Sequence, residues 1–115
     1  GALMLLPLEL FRKLGGFDEG YFLHCEDLDL CRRVRDAGRR VLLAGSVRVL
    51  HAKGGSSEHR PVFVSLHKHR GMWRWFRKFD PAARKPLLAA LVWCGIWLHF
   101  LLDVPAMLWR RRARN

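Results

Sequence analysis

Gly15 to Arg33 reads GGFDEGYFLHCEDLDLCRR, and the folding of this stretch decides how the rest of the chain is organised. Two glycines stop one helix, an aromatic loop follows (Phe17, Tyr21, Phe22), and the acidic run Glu26, Asp27, Asp29 opens a second helix. Carboxylates in a first helical turn interact favourably with the positive end of the macrodipole. Crowded together they also repel one another, which raises at least one pKa unless a cation is near. Such a group suits a general base or a metal site. The plainer alternative is an ordinary helix start in which Asp29 pairs with Arg32 or Arg33.

Working outward, Ala2 to Leu6 is a wholly apolar run ending at Pro7. It reads as a buried strand handing over to a short helix, Leu8 to Leu14. Downstream, Leu30, Val34 and Ala37 recur at helical spacing over Asp27 to Ala37, with Arg32, Arg33, Arg35 and Asp36 opposite and Gly38 as the stop. Val41 to Leu43 and Val47 to Leu50 favour β structure. The order strand, helix, loop, helix, strand, strand predicts an α/β unit. His51 follows the last strand, and the Lys53-Gly-Gly-Ser-Ser loop after it lacks the P-loop spacing.

The second half differs in kind. Pro61 to Phe79 predicts an amphipathic helix in which Val62, Phe63, Leu66, Trp73, Phe76 and Phe79 alternate with basic residues, and Gly71 is its weak point. Leu87 to Trp109 contains only Asp103 as a formal charge. As one helix it reaches about 34 Å, enough to cross a hydrocarbon core. Asp103 and Pro105 are expected to interrupt it. Arginines and a lysine flank it on both sides, a symmetry that favours a helix in the interface or a re-entrant hairpin over a single span.

One domain is what 115 residues allow. The net charge of +11 points to an anionic surface or nucleic acid. The acidic residues concentrate before Cys31, so the two halves are read as having different tasks. Cys25, Cys31 and Cys94 have no CxxC spacing and predict neither a disulfide framework nor a zinc knuckle.

Taken in order, the G-A-x-x-L run, the GGFDExYF loop, the ED-x-DLC-x-R helix and the V-x-H strand end resemble the C-terminal half of the catalytic domain of family 2 glycosyltransferases, especially the rhamnosyltransferase-like and galactofuranosyltransferase-like members. The resemblance covers Gly1 to Ser57. It implies the C-terminal part of a GT-A type α/β nucleotide-sugar transferase domain over 1–58, followed by a basic amphipathic segment over 59–86 and an apolar membrane-associated helix with a basic tail over 87–115. Asp27 is then the catalytic base that accepts the proton of an acceptor hydroxyl, with inversion, and Glu26 shapes the acceptor site. His51 is expected to contribute to a divalent metal, Mg or Mn, that holds the nucleotide diphosphate. Asp29, Tyr21, Arg32, Arg33 and Lys53 are expected at the substrate.

The nucleotide-binding half with its D-x-D motif lies outside this sequence; Asp27-Leu28-Asp29 has that form but occupies the base position. The expectation is therefore transfer from a nucleotide sugar to a cell-envelope or lipid-linked glycan, at an anionic membrane surface on the cytoplasmic face of a bacterial inner membrane. The 115 residues by themselves are expected to be inactive. The alternatives are a membrane-bound adaptor without chemistry and a nucleic-acid-binding module. The second leaves both the acidic cluster and the apolar stretch unexplained, so no nucleic acid is expected.

Overall fold

The computed structural model describes residues 3–50 and 60–112. Four α-helices follow one another: α1 Leu8–Lys13, α2 Glu26–Asp36, α3 Pro61–Phe79 and α4 Pro86–Arg112, with a 3-10 turn at Pro81–Arg84 between the last two.

α1 ends where Gly15 and Gly16 take φ of +79° and +71°, conformations that cost a side-chain-bearing residue. There the Gly15 and Gly16 amides donate to the carbonyls of Arg12 and Phe11, satisfying the last turn. α2 buries Leu30 and Val34, as the spacing predicts. α3 begins at Pro61, whose missing N–H is no loss in a first turn.

The α/β expectation is overturned, and the GT-A architecture with it: the structure is helical and no strand or sheet occurs among the described residues. Leu3 to Leu6, Val41 to Leu43 and Val47 to Leu50 are neither helical nor paired, and Leu5 and Leu43 are more than nine-tenths exposed. Their β-favouring side chains are real, but a strand exists only through hydrogen bonds to a neighbouring backbone, and among the described residues none pairs with them. Leu3 to Leu6, with Val41 and Leu42, instead border an open concavity of about 890 Å³ beside Leu30 and Val34 of α2. The expected break at Asp103 and Pro105 is also absent, since α4 runs through both. Proline removes one helical hydrogen bond there, and the turns on either side carry the helix past it.

α3 and α4 form a hairpin, and α2 with the loop before it packs on α3. The backbone approach at Gly71 is tight: a Cβ there would stand 3.1 Å from the His24 carbonyl oxygen and 3.2 Å from Cys25 Sγ.

Candidate active site

The acidic run is organised around Asp29, which is fully buried. Its Oδ1 accepts from Arg33 Nε at 2.5 Å, one helical turn on, and its Oδ2 accepts from Lys78 Nζ of α3 at 2.6 Å. A buried carboxylate is tolerable only when its oxygens are matched in this way. Arg33 extends the network by donating to the carbonyl oxygens of Leu14 at 2.6 Å and Gly16 at 2.9 Å, fastening the end of α1 to α2.

Lys78 also donates to Asp18 Oδ2 at 2.7 Å, and Asp18 Oδ1 accepts from Arg74 Nη2 at 2.8 Å and the Gly20 amide at 2.9 Å. Burial by itself would raise the Asp18 pKa; the hydrogen bonds from Lys78, Arg74 and Gly20 outweigh it and hold the carboxyl well below its ordinary range. Tyr21 is buried beneath Arg74, whose guanidinium sits 5.3 Å from the ring centre. Burial, then the charge of Asp29, pushes its phenol above the ordinary value.

This frame sets the position of the α2 N-terminus. His24 and Cys25 precede it with φ of +66° and +68°, an arrangement that is strained for residues with side chains. Packing against Gly71 accompanies it. Glu26 and Asp27 occupy the first turn, both half-buried. Asp27 Oδ1 accepts from the Leu28 amide at 2.8 Å. Glu26 Oε2 is buried with no hydrogen-bond partner among the described residues.

Of the residues expected to act together, Tyr21, Asp29 and Arg33 share one network. Glu26 and Asp27 stand side by side at the helix start. Asp29 and Arg33 are engaged with one another, as the plainer alternative anticipated, and Arg32 pairs with Asp36 at 2.9 Å near the Phe79 ring. His51 and Lys53 lie outside the described residues. Among those described, no group of three or more His, Cys, Asp and Glu side chains could hold a metal ion, so the metal expectation rests on His51.

Asp18, Arg74 and Lys78 were not singled out by spacing. Their partners lie 49 to 60 positions away, a relationship that no local pattern encodes.

Compared with curated proteins, the chain is 33% identical over 89 residues to the rhamnosyltransferase WbbL of Escherichia coli, covering 77% of this chain and 31% of that protein. It is 34% identical over 103 residues to an N-acetylglucosaminyl-diphospho-decaprenol L-rhamnosyltransferase of Mycobacterium tuberculosis, covering 76% and 34% respectively. The chain therefore spans about a third of the length of the relatives it matches. No family model matches it, and no solved structure does.

Proposed function

The chain is related to rhamnosyltransferases and is family 2 glycosyltransferase-like over about three quarters of its length, and from that premise we propose that it carries the acceptor-side part of an inverting glycosyltransferase. The sequence match to two rhamnosyltransferases is the observation that carries this reading. A rhamnosyl group is the proposed sugar, a nucleotide sugar the donor, and a hydroxyl of a lipid-linked or cell-envelope glycan the acceptor.

In the proposed reaction the acceptor oxygen attacks the anomeric carbon and the bond from that carbon to the diphosphate oxygen breaks. The electron pair leaves with the diphosphate, and the hydroxyl proton passes to the Asp27 carboxylate. A sugar hydroxyl is a weak nucleophile until such a base is within hydrogen-bond reach. Two features of the site support the assignment. Asp27 stands in the first turn of a helix fixed on two sides by the Asp29 network, so its position is determined by buried contacts rather than by a loop. Beside it, the buried Glu26 Oε2 with no donor among the described residues suits an acceptor hydroxyl.

α4 is long and apolar enough over Pro86–Trp109 to cross a membrane by length and composition, and little of its most apolar 18-residue window is buried in the protein. Contact of this helix with a bilayer, at the cytoplasmic face of a bacterial inner membrane, would hold the site beside a lipid-linked acceptor.

The test is Asp27→Asn in the full-length protein, assayed for sugar transfer to a polyprenyl-diphosphate-linked acceptor. Turnover is expected to fall by roughly 10² to 10⁴ with the fold intact. Unchanged turnover would reject Asp27 as the base.

A further inference from the structure

Six residues, Asp80 to Lys85, connect α3 to α4, and the two helices pack side by side in opposite directions. Far from that turn His69 Nε2 lies 3.0 Å from His99 Nδ1, and the His69 ring packs edge-on against Phe100 at 5.3 Å. His69 is fully buried, with Nδ1 2.7 Å from the Ser65 carbonyl oxygen. That oxygen only accepts, so Nδ1 carries the hydrogen, Nε2 accepts, and His99 Nδ1 donates to it. His99 Nδ1 is in turn 3.6 Å from Asp103 Oδ2. A hydrogen bond between the buried His69 and the exposed His99 therefore links the middle of α3 to the second half of α4.

This fastening bears on how α4 meets a bilayer. His99 is about 20 Å along the helix from Pro86 and about 15 Å from Trp109, so a crossing over Pro86–Trp109 would put it near the midplane. With the hairpin closed, His69 would be there too, flanked by the exposed Lys68 and Arg70, with Arg74, Arg77 and Lys78 strung between that depth and the headgroups. Cations at such depth are costly; Arg74 and Lys78 are paired with Asp18 and Asp29, but α3 carries no carboxylate of its own to neutralise the exposed Lys68, Arg70 and Arg77. The closed hairpin and a transmembrane α4 exclude one another.

We infer that α4 lies in the plane of the membrane interface, sunk among the acyl chains near the headgroups, while α3 runs beside it at phosphate level against anionic lipid. The inference rests on the reading that this helix contacts a bilayer. α3 is a basic amphipathic helix, and α4 adds the broad apolar surface that a firmly held interfacial pair needs. α4 supplies outward-facing Leu87, Leu91, Leu98, Leu101 and Leu102, with Trp93 and Trp109 as headgroup-level anchors. α3 supplies the exposed Lys68, Arg70 and Arg77, cations complementary to acidic headgroups.

The experiment places single nitroxide labels at Leu87→Cys, Leu91→Cys, Leu98→Cys, Leu102→Cys and Trp109→Cys, all more than half exposed, in the full-length protein. It reads their depth on vesicles of phosphatidylcholine with a minority of phosphatidylglycerol, by collision with oxygen against a water-soluble nickel chelate. A label pair at Lys68→Cys and Leu98→Cys reports the hairpin. In-plane binding gives similar shallow depths from Leu87 to Trp109, and a Lys68 to Leu98 distance unchanged by vesicles. Depth that rises to a maximum near Leu98 and falls again at both ends overturns the inference by showing a span, as does a lengthened label distance. Vesicle binding with every α4 label still reached by the nickel chelate also overturns it, because the apolar face then stays in water and the protein binds through another surface. Failure to bind vesicles at all removes the membrane reading itself.

Discussion

Lys78 holds its ammonium 2.6 Å from the carboxylate of Asp29, a residue 49 positions earlier, and so ties α3 to the helix that bears Asp27. Asp29 has no exposure, whereas Arg74 on the same network keeps 47% of its side-chain surface in solvent. The two should therefore differ greatly in weight. Asp29→Ala leaves Arg33 and Lys78 without their shared counter-ion and is expected to cost about 3–5 kcal/mol. Arg74→Ala, exposed and with Lys78 still on Asp18, is expected to cost less than about 1 kcal/mol. Urea titration of both variants checks this, and equal losses would refute the burial argument.

Acid should weaken the same network through Asp18. Its pKa in the folded protein lies below its unfolded value of 3.8, so the folded state favours the carboxylate. That contribution is complete above about pH 5 and is lost as pH falls through the folded value. The stability gap between the parent and Asp18→Asn should accordingly be constant from pH 5 to 8 and shrink below about pH 4. Thermal midpoints across that range read it directly; a gap that widens in acid would reverse the sign assigned here.

Gly71 and Gly95 make opposite predictions for one substitution. Alanine is the better helix former by about 1 kcal/mol. At Gly95 nothing lies within 4 Å of the new methyl, so Gly95→Ala should stabilise by up to that amount. At Gly71 the methyl meets the His24 carbonyl oxygen at 3.1 Å and Cys25 Sγ at 3.2 Å. His24 and Cys25 are already held at positive φ and have little freedom to retreat, so overpacking of roughly 1–3 kcal/mol should win and Gly71→Ala should destabilise. Denaturant midpoints of the pair settle the point.

These cases show what could be read in the chain and what could not. α3 was legible to the residue because Pro61 marks its start and apolar residues recur at helical spacing to Phe79. α2 was legible to within one residue, and its i,i+4 spacing made the Asp29–Arg33 pair visible. Gly71 reads as a helix defect in sequence because its reason lies elsewhere, in a loop that must pass close by. The apolar segments Leu3 to Leu6 and Val41 to Leu43 misled because β propensity describes a side chain's fitness for a sheet and says nothing of whether a partner strand is present. The frame of the candidate site was the least legible part. Lys78 and Asp18 meet only once α3 folds back on the loop after α1, and a cation in a basic amphipathic helix carries no mark of its distant carboxylate.

The three cysteines give a chemical readout of both the packing and the membrane contact. Cys25 is buried against Gly71, and burial, followed by the charges of Asp27 and Glu26, pushes its thiol up. The thiolate is the reactive form, so Cys25 should resist a water-soluble maleimide at neutral pH until the protein is unfolded. Cys94 is exposed on α4 and Cys31 is intermediate. Without lipid, Cys94 should react first. On vesicles containing anionic lipid its rate should fall by about tenfold or more while that of Cys31 stays unchanged, because only α4 enters the apolar layer. Cys31 thereby serves as the internal control for reagent access. Early labelling of Cys25 would mean that the His24-Cys25 turn does not rest on α3, and the fixed position assigned to the α2 N-terminus would go with it. Equal protection of Cys31 and Cys94 would mean that vesicles bury the α2 face as well, placing the candidate base itself against the bilayer.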